Sequence, residues 1–143
     1  MAITSAICNS FKTQILTAVH NFTQGGNTFR LALYTSSATI NKSTTAYTTS
    51  NEVANGNGYT TKGAALTNVT PALSGDTAVC DFANISFTSA SFTANGCLIF
   101  NDTAANDPSV CAIAFGGDKT VTNGTFTIEF PAADASNAIL RIA

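Results

Sequence analysis

The stretch from Gly96 to Phe115 reads GCLIFNDTAANDPSVCAIAF, and its alternation of apolar and polar segments decides how the chain folds. Two apolar runs, GCLIF and SVCAIAF, flank the polar segment NDTAANDPS. Short apolar runs bounded by turn-forming residues are typical of strands. The stretch therefore predicts a β-hairpin whose connection is centred on Ala105.

This hairpin determines where two of the four cysteines lie. Centring it on Ala105 places Cys97 opposite Ile113 and Cys111 opposite Ile99. The two thiols then share a face but lie diagonally, with backbones about 7–8 Å apart, which is too far for a relaxed disulfide. No CxxC motif or suitably spaced histidine suggests zinc. We expect all four cysteines to be reduced residues of the core, namely Cys8, Cys80, Cys97 and Cys111.

The residues after the hairpin, FGGDKTVTNGTFTIEFP at 115–131, contain paired glycines followed by a lysine and a threonine. A phosphate-binding loop needs G-x-x-x-x-G-K-[ST] and a helix immediately after it. Here Asp118 separates Gly117 from Lys119, and the following residues are strand-like. We therefore predict a connection between two strands, with a turn at Asn123–Gly124 and a solvated Lys119.

A period of two runs through most of the chain after Phe29. In TFRLALYT, Phe29, Leu31 and Leu33 share one face. Further predicted strands are VCDFA (79–83), ISFT (85–88), SFTA (91–94), CLIF (97–100), VCAIAF (110–115), TFTIEF (125–130) and AILRI (138–142). The Ser-, Thr-, Asn- and Gly-rich segment 36–63 predicts long loops with one or two short strands at most.

The N-terminal part has helical spacing instead. Its apolar residues recur at intervals of three and four, which predicts an amphipathic helix over about residues 5–22. The residues of this stripe are Cys8, Phe11, Ile15, Val19 and Phe22. Such a helix is not stable alone, so it must dock on the rest of the domain or on a partner chain.

These elements together predict a mainly β fold. Seven or eight short strands favour an antiparallel β-sandwich of the jelly-roll or immunoglobulin-like kind, with one N-terminal amphipathic helix. The 143 residues fit a single domain spanning residues 1–143. A domain of this length buries about 68% of its unfolded surface.

The charge content limits the classes of partner. Only 10% of the residues are charged, the net charge is −2, and there is no cluster of Lys or Arg. We therefore expect no nucleic-acid partner and no anionic membrane. The first residues lack the pattern of a signal peptide, and no apolar run reaches the length of a membrane helix. The neutral polar surface suits a protein that packs against other proteins.

The titratable residues give no catalytic arrangement. His20 is the only histidine, and no nucleophile and acid are placed to work with it, so we expect a histidine at the solvent edge or at an interface. Asp81 and Glu129 alternate with apolar residues in predicted strands, which points both carboxylates away from the core. We predict no catalytic residue, no enzyme activity and no cofactor.

One metal hypothesis remains open for the 101–109 loop. Asp102 and Asp107, with Asn101 and Asn106, offer oxygen atoms of the kind that Ca²⁺ prefers. The EF-hand pattern is absent from this loop.

Three stretches of the chain resemble small structural proteins of tailed-bacteriophage virions. They are LALYTSSATINKSTTAYTTSNEV (31–53), GYTTKGAALTNVTPALSGDTAVCDFANISFTSASFTANGCLIFND (58–102) and VCAIAFGGDKTVTNGTFTIEFPAADASNAILRIA (110–143). The resemblance implies a head decoration (cement) protein that bridges subunits of the major capsid protein. It places the protein on the outer surface of the virion, assembled in the host bacterial cytoplasm. The alternatives are a tail or neck component that binds a host receptor or carbohydrate, and a virion-associated hydrolase.

A decoration protein at a three-fold position of an icosahedral shell is expected to be a homotrimer, because three copies then present one repeated surface. The regions expected to make contacts are the helix stripe and the 36–63 loops. The interface candidates are Phe11, Ile15, Val19, Phe22, Tyr47 and Tyr59.

Overall fold

The computed structural model describes residues 2–143 and confirms a mainly β fold with two antiparallel sheets and one short helix. The elements in chain order are β1 (Ala6–Ile7), α1 (Asn9–Leu16), β2 (Phe29–Tyr34), β3 (Ala64–Ala65), β4 (Asn68–Ser74), β5 (Thr77–Phe82), β6 (Ile85–Asn101), β7 (Ser109–Ile128) and β8 (Leu140–Ile142). The larger sheet has the order β1-β7-β6-β2-β3, and the smaller sheet has the order β4-β5-β8. No helix within residues 2–143 is long and apolar enough to cross a membrane.

The predicted hairpin is the centre of the larger sheet. Strands β6 and β7 pair with Cys97 opposite Ile113 and Ile99 opposite Cys111, which confirms the expected register. The register follows from the sequence because both apolar runs are buried, and a slip by one residue would turn every side chain to the other face.

The strands on either side of this hairpin are much longer than predicted. Strand β6 has 17 residues and contains three of the predicted strands, while β7 has 20 residues and contains one predicted strand and most of a second, TFTIEF (125–130). The predicted connection at 115–126, with its turn at Asn123–Gly124, is therefore wrong. Gly116 and Gly117 have φ of 79° and 148°, and Asn123 has φ of 46°. These residues form bulges within one continuous strand.

The first bulge is large. Ala94 pairs with Lys119 and Gly96 pairs with Ala114, so the four residues 115–118 lie opposite the single residue Asn95. The amide of Asn95 donates a hydrogen bond of 2.9 Å to Asp118 across this bulge. At this bulge the glycines change the direction of the strand without reversing it. Lys119 is exposed, as predicted.

Helix α1 is shorter than the predicted helix over 5–22. Residues Ala6–Ile7 pair with β7 instead, which takes the start of the stripe into a sheet. At the other end Ala18 has φ of 60°, and the backbone N–H of Val19 donates to the carbonyl of Gln14 at 3.1 Å. The N–H of Ala18 also donates to the carbonyl of Ile15, at 3.4 Å. These bonds form a Schellman motif, so the helix ends with an alanine where glycine is usual.

One apolar core includes residues from both sheets and from the segment after the helix. Phe22 stacks on Phe29 of β2 with ring centroids 4.2 Å apart and an interplanar angle of 5°. Phe29 in turn lies 5.8 Å from Phe82 of β5. Phe22 belongs to this core although its backbone is not helical, so the apolar stripe in the sequence extends past the end of α1.

The described residues 35–63 form turns and isolated bridges and no strand, as the sequence predicted. The segment is bonded to β2: Val53 donates its N–H to the carbonyl of Leu33 at 2.9 Å, and Thr35 donates to the carbonyl of Asn51 at 3.0 Å. At its end Gly63 has φ of 69°, and a Cβ there would lie 1.8 Å from the carbonyl oxygen of Leu31. Only glycine allows the backbone to approach β2 this closely.

Candidate functional site

An apolar groove of about 340 Å³ lies between helix α1 and the smaller sheet. Its walls come from the helix, from β5 and β8, and from the end of β1. The main apolar contributors are Ile7, Phe11, Ile15, Leu16, Phe22, Cys80, Leu140 and Ile142. The groove is continuous with the core, because Phe11, Phe22, Cys80 and Leu140 are core residues.

The most exposed large apolar side chains of the described chain lie at or beside this groove. Leu16 is 86% exposed and Ile142 is 66% exposed, and both line it. Leu73 is 74% exposed and lies on β4 of the same sheet. Apolar residues gathered on one surface mark a site of contact with another molecule.

Strand pairing explains why Leu73 belongs to the same surface. Ala78 lies opposite Leu73 on one side and opposite Ile142 on the other, and residues that lie directly opposite share a face of the sheet. The next row on that face, Cys80 with Leu140, is buried. The face is therefore covered by the core at Cys80 and open to solvent along the row Leu73–Ala78–Ile142.

The charged residues that line the groove are both basic. Lys12 comes from α1 and Arg141 from β8, and no Asp or Glu lines the groove. Arg141 donates a 2.6 Å hydrogen bond to the carbonyl of Ser136. The ammonium of Lys12 makes only a long contact of 3.4 Å to Asn9. Two of the chain's six basic residues thus border this apolar groove.

The structure places three of the six predicted interface residues at the groove and the other three elsewhere. Phe11, Ile15 and Phe22 all line the groove. Phe11, Phe22 and Tyr59 are buried within the single chain, while Ile15, Val19 and Tyr47 are half-buried. Leu16 widens the apolar stripe of the helix in the sequence but is not among the interface candidates. Sequence reasoning missed the contribution of β5 and β8, because periodicity does not reveal the strand pairing that brings Leu73, Ala78 and Ile142 together.

The tyrosines of the 36–63 segment belong to an internal hydrogen-bond network around Glu52. Tyr47 and Tyr59 each donate to the Glu52 carboxylate at 2.6 Å, and the backbone N–H of Lys62 donates to it at 2.8 Å. The hydroxyl of Tyr59 also accepts the backbone N–H of Leu33 at 2.9 Å. Burial, and then the bond to Glu52, raise the pKa of Tyr59 far above its usual value. We call Tyr47, Glu52, Tyr59 and Lys62 the Glu52 network.

The 101–109 loop directs its carboxylates at a lysine. Asp102 and Asp107 each lie 2.8 Å from the ammonium nitrogen of Lys62, and their hydrogen bonds, that of Asp102 first, raise the pKa of this lysine. The side-chain oxygen of Asn101 accepts two backbone N–H groups of the loop. Across residues 2–143 there is no group of three or more His, Cys, Asp or Glu side chains that could hold a metal ion.

His20 is buried, so the prediction of a histidine at the solvent edge is wrong. The left-handed Ala18 turns the chain after α1 and carries His20 into the core, 4.9 Å from the ring of Phe11. Its Nδ1 accepts from the amide nitrogen of Asn101 at 3.1 Å, so Nε2 carries the proton and donates to the side-chain oxygen of Gln14 at 2.9 Å. Burial lowers the pKa of His20 to about 4.

The two strand carboxylates have different environments. Glu129 is exposed, as expected. Asp81 faces away from the core cluster as predicted but is buried, so the prediction of a solvated carboxylate is wrong for it. The backbone of Ile139, just before β8, lies against this side chain. One oxygen of Asp81 accepts the N–H of Phe82 at 2.9 Å, while the other has no hydrogen-bond partner. Burial raises the pKa of this carboxyl group.

All four cysteines are free and buried, which confirms the prediction of core thiols. Burial raises the pKa of Cys80 and of Cys111 to about 12, and that of Cys97 well above its usual value. Thiols with such values stay protonated and are poor nucleophiles.

Comparison with known proteins adds no family. No protein-family model, no curated protein and no solved structure matches the chain.

Proposed function

We propose that this protein is a non-enzymatic structural component of a bacteriophage virion, which decorates the outer surface of the head shell and binds the major capsid protein. The resemblance of residues 31–53, 58–102 and 110–143 to small virion proteins motivates the proposal. On this view the groove beside α1 and the open row of the smaller sheet face the shell.

The observation that carries the proposal is the exposure of Leu16, Leu73 and Ile142 on one surface. Water contact with these side chains is unfavourable, and each Å² that a partner covers contributes about 25 cal/mol. The low charge content of the chain also favours contact, because few ions must lose water when the surfaces meet.

We also propose that the two sheets pack as an antiparallel β-sandwich, of the jelly-roll or immunoglobulin-like kind, with their apolar faces toward a shared core. The contact between Phe29 of the larger sheet and Phe82 of the smaller one, with centroids 5.8 Å apart, supports this packing.

Three copies assemble as a homotrimer at a three-fold position of the shell. Each copy then makes the same contact with a neighbouring capsid subunit. Three weak contacts that are linked in one assembly bind far more tightly than one, because the second and third are intramolecular.

The test uses shells of the phage that carries the gene, prepared without this protein. Purified protein is added, its position and occupancy are determined by electron microscopy, and the heat resistance of the shells is measured. Saturable binding at three-fold-related positions with raised heat resistance supports the proposal. Binding confined to the portal vertex or the tail supports the alternative, a tail or neck component that binds a receptor or carbohydrate.

A further inference from the structure

We propose that the groove between α1 and β8 binds an extended segment of another polypeptide, in which an acidic residue stands beside apolar side chains. This inference rests on the proposed function, because it specifies the chemistry of the partner segment that the shell-facing surface takes.

The position of the groove in the two sheets favours an extended segment. Strand β8 is an edge of the smaller sheet, and its Ile142 lines the groove together with Ile7 of β1. An edge strand has backbone N–H and C=O groups on one side that no neighbouring strand pairs. A partner segment in extended conformation can pair with such an edge and place alternate side chains in the groove.

The spread of the exposed apolar residues favours a polypeptide over a small molecule. A ligand that filled the 340 Å³ of the groove would contact Leu16 and Ile142, which line it. Leu73 lies outside the groove in the same cross-strand row as Ile142 and is 74% exposed. A polypeptide can cover both the groove and the row, whereas a ligand confined to the groove leaves Leu73 in water.

The charges at the groove select an acidic residue in that segment. Lys12 and Arg141 are the charged residues among those that line it. The Lys12 ammonium has no carboxylate partner in the described chain. The guanidinium of Arg141, in contrast, donates to the carbonyl of Ser136 and interacts with Asp134. A carboxylate on the partner would form a charge-assisted hydrogen bond with the Lys12 ammonium. A basic partner residue would meet a like charge there, beside an apolar surface.

The same charges disfavour a second copy of this chain as the occupant. In a two-fold contact each copy presents the same patch to the other. Two such grooves meeting face to face would bring both Lys12 ammonium groups together, with no acid among the lining residues to offset them.

Two short synthetic peptides test the inference. One has the sequence Gly-Ser-Leu-Asp-Val-Thr-Leu-Gly, and the other has Lys in place of Asp; both are acetylated and amidated. Binding to the full ¹⁵N-labelled chain is followed through its backbone amide chemical shifts. We expect saturable shifts at Lys12, Leu16, Arg141 and Ile142, and binding of the Asp peptide about fivefold tighter than that of the Lys peptide, as for a pair of partly exposed charges.

Variants sharpen this test. Lys12→Glu should remove or reverse the preference for the Asp peptide. Lys42→Glu makes the same charge change at an exposed lysine that does not line the groove, so it should keep the preference. Thermal melting of both variants checks that they are folded.

Three results would overturn the inference. Equal binding of the two peptides would exclude a role for charge, and octanoate binding in the groove without peptide binding would indicate a small amphiphile. Sedimentation that shows self-association through groove residues would indicate a second copy. If the peptides fail while the protein still saturates head shells, the inference is wrong and the proposed function stands. If the Asp peptide binds selectively but shells are not bound, the proposed function is wrong and the groove chemistry stands.

Discussion

The sequence predicts partner contacts for the helix stripe, which lies beside the groove, and for the 36–63 segment, but the two regions differ in how far their own chain satisfies their side chains. In the segment, the carboxylate of Glu52 accepts hydrogen bonds from Tyr47, Tyr59 and Lys62 of the same chain. At the groove, Leu16 and Ile142 remain largely in water. A long polar loop thus has its hydrogen bonds satisfied internally, while a short helix and a three-residue strand leave apolar area uncovered. Of these two regions, only the groove would gain burial of apolar area from a partner, because the polar groups around Glu52 already have their hydrogen bonds within the chain.

The largest expected effect comes from breaking the Glu52 network. Glu52→Ala leaves the hydroxyl groups of Tyr47 and Tyr59 and one backbone N–H without their acceptor. We expect the free energy of unfolding to fall by about 3–5 kcal/mol, because three donors lose their acceptor and each costs about 1–3 kcal/mol where it is shielded from water. Urea denaturation measures the change. Glu129→Ala, at an exposed strand carboxylate, is the matched control and should change stability by less than about 0.5 kcal/mol. A small effect of Glu52→Ala would mean that the Glu52 network does not stabilise the segment.

A second effect concerns the junction between α1 and the hairpin loop, where His20 lies between Gln14 and Asn101. The pKa of His20 is lowered to about 4 in the folded chain, so the unfolded chain takes up a proton first as the pH falls. Its contribution to stability is complete above pH of about 6.5 and is lost as the pH falls to about 4, with a total change of about 3 kcal/mol.

Urea denaturation at several pH values measures this dependence. His20→Gln should flatten the stability curve between pH of about 6.5 and 4, because the amide does not titrate there. An unchanged curve in the variant would show that His20 is not the group responsible.

The smallest expected effect is a change in stability at the end of α1, next to the groove. Ala18 has φ of 60°, a conformation that glycine adopts at no steric cost. Ala18→Gly should therefore raise the free energy of unfolding by about 0.5–1 kcal/mol. Thr13→Gly, inside the helix, should instead lower it by a few tenths of a kcal/mol, because glycine is a still poorer helix former than threonine. If both changes destabilise the protein to the same extent, Ala18 is not left-handed in solution.

How much the sequence predicts differs between these regions for physical reasons. The register of the β6–β7 hairpin could be predicted, because its two apolar runs are buried and tolerate no slip. The length of the strands could not, because Gly116, Gly117 and Asn123 favour positive φ both in a turn and in a bulge. The end of α1 at Leu16 could not be predicted, because Phe22 keeps the helical spacing in the sequence although it reaches the core from a non-helical segment.

The groove itself illustrates the same limit. Its helical residues Phe11 and Ile15 follow from the apolar stripe. Its other wall depends on the pairing of Ala78 with Ile142, which lie far apart in the sequence. Lys12 and Arg141 belong to no sequence motif, so their position at the border of the groove could not be predicted and follows only from the fold.

The measurement that tests the central claim most directly is the occupancy of head shells by Leu16→Asp compared with Thr13→Asp. Both changes add one negative charge to an exposed position of α1, but Thr13 does not line the groove. We predict that Leu16→Asp keeps the thermal stability of the native chain and loses most of its shell binding, whereas Thr13→Asp binds like the native chain. Equal occupancy by the two folded variants would contradict the claim that the apolar groove is the surface through which this protein contacts its partner.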